Sequence, residues 1–333
     1  MPWYDFVDEL VNHSGIGEGQ GPLTVPGLVA GKIGEVDGFG QQLHGVNFEI
    51  TEGNGSWDLL LNAKETRSAV HFDRDWAGKG ISIKTDYLRL TANEDEVEDA
   101  KASAQLFNSK AFISTLPPID FTCMDCQYGQ YDLQRLDIET STDKGVLNIS
   151  KLAIVKGKHQ FNATGQWVGD EGEGESSITG RFTSDNLGAL LNEYDLTSSV
   201  RDSNATVDFF ADWAGGPHQF NAASLSGEGK WKMGEGHLAE VSDRGTRLLS
   251  LLSFDSIVRK LKLDFRDVFS KGFFYNSMKG TMLIESGIAY TDDTKIDGVP
   301  ADLVLKGSTN LVDNTLNYNL AFTPKYTSSL PTL

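Results

Sequence analysis

The sequence predicts a mainly β protein with two or three short helices, and three observations carry that prediction. Apolar and polar residues alternate over short segments along most of the 333-residue chain, the period-two signature of strands with one buried face. Glycine, asparagine and aspartate cluster between those segments, and the 35 glycines serve such turns. Helical periodicity is confined to a few places, of which 244–272 is the strongest.

In chain order, Glu52-Gly53-Asn54-Gly55 marks a turn, and GISIKT predicts a strand over 81–84. The acidic tract 94–99, continuing to 104, reads as a solvated loop. Thr142-Asp143-Lys144-Gly145 is a second turn, opening the strand VLNISKLAIV at 146–155. A short helix follows over 184–193, with Ser184 or Asp185 as its cap. In ATVDFFADW, Val207, Phe209, Ala211 and Trp213 share one face, while Asp208, Phe210 and Asp212 share the other. Strand patterns recur at 280–291 and 301–311, and in TLNYNLAF, where Leu316, Tyr318, Leu320 and Phe322 oppose Asn317, Asn319 and Ala321. The string HQFNA occurs twice, at 159–163 and 218–222, each copy followed by a Gly-x-Trp. Such an echo suggests similar, stacked hairpins.

The stretch 244–272 has two apolar registers. Leu248, Leu249, Leu251 and Leu252 form one cluster, and Phe254, Ile257, Val258 and Leu261 form a second at helical spacing. The two stripes do not align, so 253–256 is expected to bend, with Ser253 or Asp255 as N-cap. Arg259, Lys260 and Lys262 give the second helix a basic back, suited to anionic headgroups or simply to solvent.

Aspartate plus glutamate at 47, against lysine plus arginine at 29, set a net charge of −18. That acidity repels phosphates and argues against a nucleic-acid partner. There is no apolar run of about 18 residues and no basic-then-apolar leader, so the chain taken alone is expected to be soluble. Cys123 and Cys126 are the two cysteines. No second CxxC or HxxxH completes a zinc shell, and the flanking sequence is strand-like rather than the helix start a redox motif needs. A local disulfide in an oxidising compartment is the favoured reading, with no metal or cofactor. The six histidines are scattered, and no GxSxG, HExxH or phosphate-binding glycine loop is present, so no enzyme class is indicated. Carboxylate pairs for glycoside hydrolysis are plentiful, but nothing selects one pair.

These strands pose a physical problem. Their apolar faces far exceed what two or three short helices can cover, and a bare face of that extent is not tolerated in water. A sandwich, a barrel, or a trough filled by apolar ligand would each satisfy it.

The run RLLSLLSFDSIVRKLKLDFRDVFSKGFFYNSMKGTMLIESGIAYTDD resembles the C-terminal signature of the YhdP branch of the AsmA-like proteins of Gram-negative bacteria. Arg259, Leu261, Leu263, Asp264, Phe265, Asp267, Phe269, Gly272, Phe273, Gly280, Gly287, Ala289 and Thr291 occupy matching positions. The similarity extends upstream through Trp167, Gly188, Trp213 and Gly227. Tyr275-Asn276 and Val258 depart from the commoner Phe-Asp and proline.

The resemblance implies a long, twisted, taco-like antiparallel β-groove, one continuous region over 1–333, with 244–272 as a helical plug or cap centred on Leu248, Leu252, Phe254, Ile257, Val258 and Leu261. It implies that the alternating residues Val207, Phe209, Ala211, Trp213, Leu316, Tyr318, Leu320 and Phe322 line the groove. It further implies phospholipid cargo moved between inner and outer membranes across the periplasm. Relatives are longer, with an inner-membrane anchor, so the chain is expected to be a fragment lacking that anchor and the extreme C-terminus. A closed, lipid-free envelope scaffold is the rival expectation.

Overall fold

In the computed structural model, residues 27–38, 41–91, 109–170, 174–194, 200–239 and 273–325 are described. The first strands are β1 (Leu28–Gly38), β2 (Gln41–Glu52), β3 (Ser56–Asn62), β4 (Thr66–Asp73) and β5 (Ile81–Leu90). Then come β6 (Ile119–Tyr128), β7 (Tyr131–Asp143), β8 (Val146–Lys156), β9 (His159–Val168) and β10 (Glu175–Ser184). The last group is β11 (Val200–Arg201), β12 (Ala205–Ala214), β13 (Ser226–Met233), β14 (Gly236–Leu238), β15 (Phe273–Glu285), β16 (Ile288–Gly298), β17 (Ala301–Asn310) and β18 (Thr315–Pro324). Three short helices, α1 (Trp76–Lys79), α2 (Lys110–Ile113) and α3 (Leu187–Glu193), and a 3₁₀ turn at Pro217–Gln219 complete the described elements.

All 18 strands belong to one sheet. Register pairs run as an antiparallel meander from β1 to β5 and from β6 to β10, continuing through β12, β13 and β15 to β18. The short β11 and β14 pair with each other, and β14 also pairs with β15, so these two extend the ranks of β12 and β13. One junction differs: β5 and β6 run parallel. A parallel neighbour requires the chain to cross back along the sheet, and α2 lies on that return. The sheet is open, since β1 and β18 do not pair.

Local chemistry explains the hairpins. Lys144-Gly145 and Ser286-Gly287 both combine φ of about +47 to +79°, the two positive φ values of a turn whose twist matches that of the strands it joins. Glu52 to Ser56 closes through the Gly53 N–H donating to the Ser56 carbonyl at 2.8 Å. The predicted helix at 184–193 is shorter than expected, and its cap is Asn186, whose side chain accepts from the Ala189 N–H at 3.0 Å. Ser184 is the last residue of β10, and its hydroxyl meets His159 Nδ1 at 2.8 Å. The HQFNA echo does not mark stacked hairpins. The first copy opens β9, whereas the second spans the 3₁₀ turn and the loop after it, so identical residues meet different backbone constraints. The stretch 244–272 and the acidic tract 94–104 lie outside the described residues.

The densest packing is at one end of β11–β18. Val200, Ala205, Met233, Leu238, Phe273, Tyr275, Ile296 and Leu303 form a buried cluster, with Leu187 of α3 against it. Away from that end the same face opens, and its side chains become half-buried.

Candidate functional site

The strand registers carry one apolar row without interruption from β1 to β15. Val29, Ile50, Leu59, Val70, Ile83, Phe121, Ile138, Leu152, Ala163, Gly180, Phe209, Gly229 and Met282 are successive cross-strand partners from β1 to β15. None is polar. Directly opposed residues project from the same side of a pleated sheet, so the row is a property of one face.

A second row on that face runs Gly31, Phe48, Leu61, Ser68, Thr85, Cys123, Leu136, Ile154, Phe161, Phe182, Val207, Trp231 and Gly280. Its hydroxyls are satisfied among themselves. Ser68 bonds both Thr66 and Thr85 at 2.9 Å. Elsewhere on the face Thr291 bonds Thr294 at 2.8 Å, and Thr309 bonds Tyr318 at 2.9 Å. Mutually paired hydroxyls offer a neighbouring apolar group little unsatisfied polarity.

The opposite face is the reverse. Thr51, Asp58, His71, Ser82, Asp120, Glu139 and Lys151 are successive partners from β2 to β8. His71 meets Asp58 at 2.7 Å and Lys151 meets Glu139 at 3.3 Å. Here too Arg135 holds Asp137 with Nε–Oδ2 3.0 Å and Nη2–Oδ1 3.1 Å, and that bidentate contact keeps the Asp137 carboxyl below the usual range.

Burial distinguishes the apolar face from an ordinary core. Ile50, Leu59, Val70, Ile83, Phe121, Ile138, Ile154, Phe161 and Phe182 are half-buried rather than buried. A packed core residue is enclosed on every side; these keep an open side. Phe161 and Phe209 stack with ring centroids 5.7 Å apart, leaning along the face.

The sequence-predicted residues fall on this face. Val207, Phe209 and Ala211 of β12 are half-buried, and Trp213 is buried, its Nε1 donating to the Gly216 carbonyl at 3.1 Å. Leu316, Tyr318, Leu320 and Phe322 of β18 are all half-buried, alternating with exposed partners. Four ranks separate β12 from β18, all sharing the same side. Leu248, Leu252, Phe254, Ile257, Val258 and Leu261, with Arg259, Lys260 and Lys262, lie outside the described residues.

Sequence reasoning missed the β1–β10 half of the face. The signal was present: β9 reads His-x-Phe-x-Ala-x-Gly-x-Trp with strict burial alternation.

Two further features sit on or beside the face. Cys123 and Cys126 are bonded within β6, both buried on the apolar side, where the register slips. At the far end of β8, Lys156 is 5% exposed, and its Nζ reaches Asp132 at 2.8 Å and Glu193 at 2.9 Å. Burial opposes its charge, but its hydrogen bonds to the two carboxylates outweigh that and raise the pKa. Tyr194, following α3, donates to the Asp132 carbonyl at 2.6 Å. Lys156 thus straps α3 back across β9 and β10 to β7 and β8.

No cluster of three or more metal-ligating side chains occurs among the described residues. None of the described helices is long and apolar enough to cross a membrane.

Comparison with known proteins agrees with this geometry. The chain is 31% identical over 215 residues to the intermembrane phospholipid transporter YhdP of Escherichia coli K12, an alignment covering 64% of this chain and 17% of that protein. The chain thus aligns with a small part of the curated relative. No solved structure matches. The sequence profile of the YhdP protein family matches residues 1–333, and the chain belongs to that family.

Proposed function

We propose that this chain is a segment of a non-enzymatic conduit for phospholipid, passing lipid between inner and outer membranes across the periplasm and so maintaining the outer-membrane permeability barrier. The observation behind this reading is the unbroken apolar row on a half-open face. A diacyl lipid has about 30 methylenes, and exposing them all to water costs on the order of 20 kcal/mol. A row in which every rank is apolar replaces each lost bilayer contact with the next, so the acyl chains move on a nearly level profile while the headgroup stays in water. With strands about 4.8 Å apart, the thirteen ranks from β1 to β15 span roughly 58 Å along the row. Groove lining by Val207, Phe209, Ala211, Trp213, Leu316, Tyr318, Leu320 and Phe322 follows from this reading. So do a plugging or capping role for 244–272 and headgroup contact by Arg259, Lys260 and Lys262. The relative's name as a phospholipid transporter supports the cargo. An enclosed, dry scaffold core is disfavoured by an open sheet with half-exposed lining.

Photo-crosslinkers at Val207, Leu316 and Tyr318, with Asp120 on the opposite face as control, test the proposal. Mass spectrometry is expected to find phospholipid adducts at the first three positions and none at the fourth. A protein that purifies free of lipid, with no adducts at the inward positions, overturns it.

A further inference from the structure

A cleft of about 1050 Å³ over β10–β18 opens mainly on the face opposite the apolar row, with Phe209 and Met282 of that row also in its lining, at the upper end of ligand-site volumes. Its floor is a single register row in which Phe210, Glu228, Leu283, Tyr290, Ser308 and Asn317 are successive partners. Phe210, Leu283 and Tyr290 are 39%, 48% and 42% exposed. The sheet's apolar side lies opposite, and the equivalent row over β2–β8 is wholly polar, so the sheet's packing does not require three large apolar groups here. Around them Asp292 and Asn319 join Glu228, Ser308 and Asn317 in lining the cleft. These five make no side-chain hydrogen bond or ion pair among the described residues, whereas Asp208 at the margin is held by Arg181.

Two flat rings set among free amides and carboxylates complement a pyranose, which presents C–H faces to rings and equatorial hydroxyls to planar acceptors and donors. The two rings stand three ranks apart, roughly 14 Å, the reach of a tri- or tetrasaccharide. Charge narrows the choice. Glu228, Asp292 and Asp208 outnumber Lys230 and Arg181, which disfavours phosphate-bearing or other anionic ligands. An acyl chain would leave the polar half of the lining unmatched. We infer that this cleft is a binding site for a neutral oligosaccharide, built mainly on the polar side of the sheet.

Saturation-transfer difference NMR on the whole chain, with N-acetylglucosamine tetramer and cellotetraose as probes, tests the inference. At millimolar sugar, transfer to ring C–H protons is expected from at least one of them. Phe210→Ala and Tyr290→Ala should each weaken binding about tenfold, the loss expected of one stacked ring. Asn317→Ala with Asn319→Ala should weaken it without touching the rings, and unchanged far-ultraviolet circular dichroism checks the fold in each case. Lipid co-purification should be unaffected by all of these variants. The inference is overturned if neither sugar binds, or if binding survives the Phe210/Tyr290 double variant. It also fails if sedimentation shows a dimer that the double variant dissolves, since the rings would then serve a second copy of the chain.

Discussion

Gly227 and Gly307 show how closely single residues constrain this sheet. Both sit inside strands with φ near +154° and +153°, and a Cβ would lie 2.2 Å from the Phe210 carbonyl oxygen and 2.1 Å from that of Asn317. Neighbouring backbone cannot yield as a flexible side chain can. Gly227→Ala is therefore expected to lower the unfolding free energy by about 1–3 kcal/mol in urea titrations. Asp137 gives a prediction in pH. The Arg135 contact depresses its pKa below 3.8, so its stabilisation is present above the unfolded value and is lost as pH falls through the folded one. Unfolding free energy should therefore decline below about pH 4, and Asp137→Asn should flatten that decline.

At the scale of elements, two fastenings hold places where the meander is irregular. The Cys123–Cys126 bond closes a slip in β6, next to the parallel junction with β5. Replacing both cysteines with serine is expected to cost about 2 kcal/mol on a chain-entropy estimate for so small a loop, read as a lower urea midpoint. Lys156 fastens α3, and Lys156→Met should remove its charged hydrogen bonds while keeping the apolar stem. The expected loss is about 2 kcal/mol, accompanied by faster amide exchange confined to 187–194. Because the Lys156 pKa is raised from 10.5, its contribution is complete below that value and fades as pH rises through the folded pKa.

On the proposed function the apolar row is a one-dimensional path for acyl chains, and its weak point follows from that. A single charge in the apolar row interrupts every path along it. Ile138→Glu, midway between β1 and β15, introduces a step of about 3 kcal/mol for an acyl chain, which corresponds to roughly a hundredfold slower passage. Lipid crosslinks on either side of residue 138 should persist while transfer between donor and acceptor vesicles falls. Unaltered transfer would mean that lipid does not travel along this row. Much of this face was legible in the sequence. The alternation in β12 and β18 groups Val207, Phe209, Ala211, Trp213 and Leu316, Tyr318, Leu320, Phe322 on one face because a two-residue period needs only neighbours to be read. The β1–β10 contribution was less legible because its significance lies in register, which joins residues tens of positions apart. The HQFNA echo misled for the same reason, since a five-residue string does not specify whether its backbone pairs.

By itself the sequence determined the class of structure: strands from period two, turns from paired glycine and asparagine, few helices, and an apolar surplus needing cover. Those are local properties, set by how each side chain meets water and by which φ values its backbone tolerates. Only the tertiary structure decided how the surplus is arranged. An open sheet, a sandwich and a barrel share one alternation pattern, and they differ in which strands exchange hydrogen bonds. Pairing decided that thirteen apolar residues, from Val29 to Met282, stand in one line. It also decided that Phe210, Leu283 and Tyr290 share a row on the opposite side. Both are long-range register relations, to which no single segment of the chain is sensitive.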